Sequence, residues 1–295
     1  MKAKQTALAF AMLLTIYPLQ TAAQRDVPYD NLEYPVLITL TNCEPNINVT
    51  VKGSGFFMNT DSSTLLVTAR HLLFNWSAPN HPLLCKTAEL VSYSPDPKEQ
   101  EKNRVILDLV TMSASNAVKA HATQDVAVVH IGDVVAAAAG GRRSISPTAG
   151  VRVITNAPSG IVGASVDLVK KLDKVLISNA VYVFGFPTSI GIQSIPQIEY
   201  DRPLIRKGVV AGINEANKTI ILDCLIFQGN SGGPVIQAER EAFATKFYVV
   251  GVVSQFVPVT ETWINSTLSY SNTQVYNSGY SVAVPMDAVL EILGH

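Results

Sequence analysis

Residues 228–235 read QGNSGGPV, three glycines and a proline around one serine, Ser231, with apolar chain on either side. Glycine and proline make turns for conformational reasons alone. The octapeptide is therefore a surface turn or a loop built to present a hydroxyl. A serine hydroxyl reacts only with help. It needs a base to take its proton, a group to orient that base, and donors for the charge that develops on the attacked carbonyl oxygen. The decision rests on whether the remaining chain offers a histidine and a carboxylate in equally distinctive settings.

Five histidines are present. His71 ends the apolar run LLVTARH; His81 lies in a proline-rich loop, His121 and His130 flank DVAVV, and His295 closes the chain. Asp125 opens DVAVVHI, where a loop enters an apolar strand-like run; Asp108 in VILDLV and Asp133 are other carboxylates in similar surroundings.

The chain has 295 residues, room for one large domain or two modest ones. It is 47% hydrophobic and 15% charged, which makes it globular rather than disordered. A net charge of -1 without a long basic run argues against nucleic acid or an anionic membrane surface as the main partner.

Residues 1–23 read as a secretory signal, with Lys2 and Lys4 before an apolar core from Ala7 to Tyr17 that is short for a bilayer span. The alternative is an uncleaved anchor. Export, to the periplasm or the exterior, is the expectation, with no stable membrane insertion once the signal is removed. Of the three cysteines, Cys43 and Cys85 are the expected pair and Cys224, in an apolar run, the expected buried thiol. No cysteine has zinc-ligand spacing, so neither a metal nor a cofactor is expected. Four Asn-X-Ser/Thr triplets occur, at Asn48, Asn75, Asn217 and Asn265.

Short runs rich in Val, Ile, Thr and Phe recur between turn residues, among them YPVLITL, STLLVTA, RVILDLV, DVAVVHI, NAVYVFGF and KFYVVGVVSQFV. This pattern predicts an all-β fold. Two antiparallel barrel-like lobes are expected, the first over about 33–135 and the second over about 166–280, with a connection rich in small residues over about 136–165. A helix over about 285–293 closes the chain, Val289, Ile292 and Leu293 sharing a face.

GSGFF at 53–57, VTARH at 67–71, DVAVVHI at 125–131 and GNSGGPV at 229–235 resemble, in that order, the motifs of trypsin-like serine peptidases. VYVFGFP and GYSVAVPMDAVLEIL are similar to flanking elements of the bacterial HtrA-like branch, and no peptide-binding PDZ module is expected. The resemblance spans roughly residues 35–293 and implies a chymotrypsin-like pair of six-stranded barrels. It implies a serine endopeptidase acting on protein or peptide substrates through an acyl-enzyme. Ser231 is then the nucleophile, His71 the base and Asp125 its orienting acid, with an oxyanion hole from the backbone N–H groups of Gly229 and Ser231.

Two departures from the animal trypsins stand out. Leu72 replaces the cysteine after the histidine, and Asn230 replaces the aspartate that pairs with a new N-terminus on zymogen activation. No such activation switch is expected. At the specificity pocket the resemblance points to Leu225 at the base and to Ser254, Gln255 and Phe256 along the wall, implying small or medium apolar side chains. GNSGG also satisfies the G-x-S-x-G elbow of α/β-hydrolases, a reading that needs a helix after the serine and a later histidine, here only His295. A protease-fold protein that binds without cutting is the alternative from another class.

Overall fold

The apolar runs resolve into two sheets. In the computed structural model, which describes Val27 and residues 34–46, 48–93, 102–137, 143–155, 161–187, 195–199, 201–241 and 244–294, the strands alternate with short turns and few helices. The expected signal segment lies outside the described residues, as does His295.

The first lobe contains β1 (Pro35–Cys43), β2 (Val51–Asn59), β3 (Ser63–Thr68), β4 (Cys85–Tyr93), β5 (Lys102–Asp108), β6 (Val118–Ala120), β7 (Ala127–Ala137), β8 (Arg143–Pro147), β9 (Val151–Thr155) and β10 (Ala164–Ser165). Their order is β6-β7-β3-β2-β1-β4-β5-β9, with β8 on β7 and β10 on β2. Two helices interrupt it, α1 (Arg70–Leu73) and α2 (Leu109–Ala114). The second lobe is a closed barrel of β11 (Ala180–Gly185), β12 (Leu204–Asn214), β13 (Thr219–Asp223), β14 (Pro234–Arg240), β15 (Thr245–Asn265) and β16 (Tyr270–Pro285). Its order is β11-β12-β13-β16-β15-β14. Helix α3 (Asp287–Leu293) follows. The all-β, two-lobed fold with a short closing helix is as expected; among the described residues the first lobe is a ten-stranded sheet with ends at β6 and β9, and only the second closes with six strands.

The stretch expected to be a connection, 136–165, instead supplies β8, β9 and β10. β8 and β9 extend the edges offered by β7 and β5. Ile145, Val151 and Val153 pack against the first lobe's core. Tertiary pairing thus overrides the turn-like composition of this stretch. The six-residue helix α2 is also absent from the sequence reading; Asp108 caps it, accepting from the N–H groups of Val110 and Thr111 at 3.1 Å each.

Continuous apolar runs arise because β2, β3 and β7 are covered on both faces. Phe57, Leu66, Ala127, Val129 and Ile131 point into the first lobe's core. Their neighbours Phe56, Met58, Leu65, Val67, Val126 and Val128 point the other way, onto Tyr182, Phe184, Val252, Val284 and Val289 of the second lobe and α3. A two-residue period sends alternate side chains to opposite faces, so a strand between two cores is apolar throughout. Within the barrel, Val181, Val183, Val210, Leu222, Cys224, Val235 and Val253 form a separate core.

Cys43 and Cys85 stand opposite each other on β1 and β4 and form a disulfide. Cys224 is a free thiol, 3% exposed. Burial pushes it up to about 11, which keeps it protonated and unreactive. Iodoacetamide at neutral pH is expected to leave Cys224 unmodified in the native protein and to label it only in denaturant, as read by mass spectrometry; labelling of the native thiol would contradict this packing. Phe56 is fully buried between the lobes. Phe56→Ala is expected to cost about 3–5 kcal/mol of stability, lowering the urea midpoint of unfolding.

Candidate active site

The lobes meet at a cleft of about 550 Å³ whose lining includes His71, Asp125, Ser231, Ser254 and Phe256. The three residues singled out by their motifs come from distant parts of the chain. β3 ends at Thr68 and feeds directly into α1, which carries His71. Asp125 sits in the loop between β6 and β7. That loop is closed by His121 N–H to the Val126 carbonyl and Val126 N–H to the Gln124 carbonyl, both at 2.9 Å. Ser231 lies in the turn before β14.

Asp125 holds His71 by two contacts. One carboxylate oxygen accepts the His71 backbone N–H at 3.0 Å; the other lies 2.7 Å from the imidazole Nδ1. A carboxylate acceptor requires the proton on Nδ1, which leaves Nε2 free to accept. The second oxygen also accepts the Ser254 hydroxyl at 2.6 Å. Burial pushes the Asp125 carboxyl upward, but the hydrogen bond and charge of His71, the Ser254 hydroxyl and the His71 amide outweigh it and hold it below the ordinary carboxylate range. The other two carboxylates are committed elsewhere. Asp108 caps α2, and Asp133 contacts Ser63 and His130 on the first lobe.

The carboxylate loop is itself anchored. Arg70, 5% exposed, donates to the His121 carbonyl at 2.8 Å, and its guanidinium lies 3.0 Å from the centre of the Trp76 ring. His81 stacks on Trp76, with ring centres 3.7 Å apart.

Ser54 of β2, fully buried, fastens the serine loop to the first lobe. Its hydroxyl donates to the Gly229 carbonyl at 2.6 Å and accepts the Phe186 N–H at 2.9 Å. Its own N–H donates to the Ser231 carbonyl at 3.0 Å. Its carbonyl accepts the Thr68 hydroxyl at 2.7 Å. Gly232 stands where the loop has no room for a side chain. It has φ +86, and a Cβ there would stand 2.0 Å from the Ser54 carbonyl oxygen. Gly229, at φ +94, likewise occupies the left-handed region that favours glycine. Asn230, 1% exposed, spans the loop from inside, its side-chain oxygen accepting the Phe227 N–H at 3.0 Å.

Ser231 does not donate to His71 here. Its hydroxyl donates to the Ser254 carbonyl at 2.9 Å. Ser254 therefore binds Asp125 through its side chain and Ser231 through its backbone. Sequence reasoning placed Ser254 on the pocket wall and missed this bridge; the available signal was one hydroxyl in the apolar run VVSQF. Ser54 likewise stood in a quoted motif without a role, its signal being a polar residue between two glycines at the start of a buried strand.

Leu225 is corrected. It is 40% exposed and absent from the cleft, while Cys224 and Ile226 on either side are buried. Alternation past the end of β13 turns Leu225 to solvent, and Ile226 and Phe227 line the cleft instead. The chain after Ser231 enters strand β14 and not a helix, which removes the α/β-hydrolase elbow. Among the described residues no three His, Cys, Asp or Glu side chains gather into a metal-binding group, and no helix is long and apolar enough to cross a membrane.

A family model, Trypsin-like peptidase domain, matches residues 53–244, about two-thirds of the chain, and includes His71, Asp125 and Ser231. No curated protein matches the chain. With the ordered motifs, the two β lobes and this match in agreement, the chain belongs to the trypsin-like peptidase family, with the serine protease-type activity that membership carries.

Proposed function

We propose that the protein is a serine endopeptidase that uses Ser231, His71 and Asp125 to form and hydrolyse an acyl-enzyme. The observation that carries this reading is the Asp125–His71 pair at 2.7 Å in the same cleft as a serine held by a glycine loop. Asp125 fixes the tautomer that leaves Nε2 unprotonated. Rotation about the Ser231 Cα–Cβ bond releases its hydroxyl from the Ser254 carbonyl and turns it toward that nitrogen. His71 takes the proton as Ser231 Oγ attacks the scissile carbonyl, then returns it to the leaving amine. Hydrogen bonds at unliganded sites are often loose and tighten around substrate.

The Gly229 and Ser231 N–H groups receive the developing oxyanion. Among the described residues neither N–H has a hydrogen-bond partner, whereas the Asn230 N–H between them is tied to the Phe227 carbonyl at 3.0 Å. The neutral Asn230 holds the loop by its own side chain, which supports a site competent without a zymogen-type N-terminal cut. Ile226, Phe227, Phe256 and Val282 give the cleft an apolar lining, and Asp125, already engaged, is its one carboxylate among the described residues. That supports small or medium apolar side chains at the cleavage site rather than Lys or Arg. The motif style supports an HtrA-like origin. The Cys43–Cys85 bridge and the leader-like N-terminus support export to the periplasm or beyond.

One observation favours a silent binding protein, the Ser231 hydroxyl engaged with Ser254 instead of His71. A fluorophosphonate probe separates the two readings. Stoichiometric labelling of the wild type is expected, with loss in Ser231→Ala and a drop of at least a hundredfold in His71→Ala. Well-folded wild type that takes no label refutes the enzyme.

The low Asp125 pKa has a second consequence. A carboxylate lowered by folding stabilises the native state above its ordinary value near 3.8, and that stabilisation is lost as pH falls through the lower folded value. Asp125→Asn is therefore expected to unfold at lower urea than the wild type at neutral pH. The gap should close below about pH 4; a gap that stays constant into that acid range would contradict the assignment.

A further inference from the structure

His121, one of the two histidines that flank DVAVV, takes no part in the proton transfer described above, yet all of its polar atoms are engaged. Its N–H donates to the Val126 carbonyl at 2.9 Å, and its carbonyl accepts from Arg70 at 2.8 Å. The ring turns back over the loop that the residue opens. Nδ1 accepts the Thr123 N–H at 3.2 Å and the Gln124 N–H at 2.9 Å, the two amides just before Asp125. Nε2 lies 2.9 Å from a carboxylate oxygen of Glu291, on α3. The side chain is 14% exposed and lies outside the cleft.

These contacts select one tautomer. An imidazole nitrogen accepts only where it carries no proton, so the ring hydrogen of His121 sits on Nε2 and is donated to Glu291. His71 has the opposite arrangement, with its proton on Nδ1 facing Asp125. A proton on Nδ1 of His121 would set one N–H against two others. The hydrogen bond from His121, with the charge of Lys218 nearby, keeps the Glu291 carboxyl below its ordinary range, so the acceptor at Nε2 is ionised at neutral pH. Accepting from the amides two and three residues on is the part an aspartate or asparagine plays in a turn. Asp108 does the same for Val110 and Thr111.

Resting on the peptidase reading above, we propose that His121 is a positioning residue for Asp125. Its Nδ1 lone pair shapes the turn that aims the carboxylate at His71, and Glu291 selects the tautomer that keeps this lone pair. Asp125 must meet two donors of His71 with two different oxygens, at 3.0 Å and 2.7 Å. A carboxylate bound at both oxygens tolerates little rotation of the chain that bears it, and an imidazole without its oriented acid loses most of its use as a base. The loop is tied to three other elements: to α1 through Arg70, to α3 through the His121 ring, and to the β12–β13 turn through Gln124 Nε2, which donates to the Asn217 carbonyl at 3.0 Å. By this route the closing helix bears on the cleft without lining it.

Three variants separate the two ring nitrogens. Asparagine keeps an acceptor where Nδ1 stands and gives up Glu291. Glutamine reaches toward Glu291 and gives up that acceptor, and alanine gives up both. Cleavage of one peptide is normalised to active sites counted by fluorophosphonate labelling at completion. In His121→Ala and His121→Gln, kcat per labelled site is expected to fall about tenfold or more, with KM held within about twofold. In His121→Asn it is expected to stay within about threefold of the wild type. Glu291→Ala is expected to lower kcat about threefold and Glu291→Gln, whose amide oxygen still accepts from Nε2, to restore it. A histidine that only stabilises the fold would instead reduce the number of labelled sites at constant kcat per site, or suffer equally from Asn and Gln. Either result overturns the proposal, as does Glu291→Ala that matches the wild type.

The tautomer itself is read from the ring ¹⁵N shifts of the wild type, which needs no variant and remains decisive if the alanine or glutamine protein does not fold. His121 is expected to be protonated on Nε2 and His71 on Nδ1; a proton on Nδ1 of His121 overturns the proposal. The Nδ1 proton of His71, which resonates far downfield while it bridges to Asp125, is expected to persist in His121→Asn and to be lost in His121→Gln. That signal does not depend on turnover. If the wild type neither cleaves nor labels while the signal behaves in this way, the peptidase reading fails and the placement of Asp125 by His121 stands. If the wild type is active and the signal survives in His121→Gln, the positioning role fails alone.

Discussion

One buried hydroxyl connects the two lobes beside the cleft lined by His71, Asp125 and Ser231. Ser54 belongs to β2 of the first lobe, but its hydroxyl is spent on the Gly229 carbonyl and the Phe186 N–H of the second. Its own N–H reaches the Ser231 carbonyl. These bonds lie at full burial, where an unmet partner costs about 1–3 kcal/mol. The serine loop cannot move away from β2 without leaving several such groups unmet. Because β3 pairs with β2 and leads into α1, the same contact also sets the distance between the serine loop and His71.

The apolar layer between the lobes supports that contact. Phe56 and Met58 lie on the same strand as Ser54 and pack on Phe184 and Val252, so burial and hydrogen bonding select one relative placement of the sheets. Asp125 comes from the loop before β7, the strand that pairs with β3 on its other side. Asp125, His71 and the serine loop are thus supplied by adjacent strands of one sheet and one strand entry of the barrel. Ser254 closes the circuit by touching both Asp125 and Ser231. Long β15 carries Ser254 and then leaves the barrel as an exposed arm, so a single strand bears on the placement of Asp125, the cleft lining and the surface beyond the cleft.

Much of the site was legible because its signals are local. A glycine-rich loop around a serine, a histidine after a buried strand and an aspartate at a strand entry each leave their mark within a few residues. What could not be read were the partners. Asp108 and Asp133 had the same local setting as Asp125, and only the capping of α2 and the His130 contact remove them. Leu225 was misassigned by counting from the serine, since one step along an alternating segment reverses the direction of the side chain. The arm carried an alternating Val, Thr, Trp and Tyr pattern around the turn-forming NSTLS, a strand signal left unassigned because nothing nearby indicated what it pairs with.

The amino-acid sequence by itself determined the class of structure. Two-residue apolar periodicity, frequent turn residues and scarce helix signals admit β lobes and little else, and Gly229 and Gly232 suit the positive φ angles their loop requires. Only the tertiary structure decided which polar groups meet. It brought the Ser54 hydroxyl to a carbonyl 175 residues away and the Ser254 hydroxyl to Asp125 across 129 residues. It also made strands of a stretch with the composition of a linker. The reason is one of range: periodicity and turn chemistry act over a few bonds, whereas strand order and register are chosen by the burial and hydrogen-bond satisfaction of the whole chain.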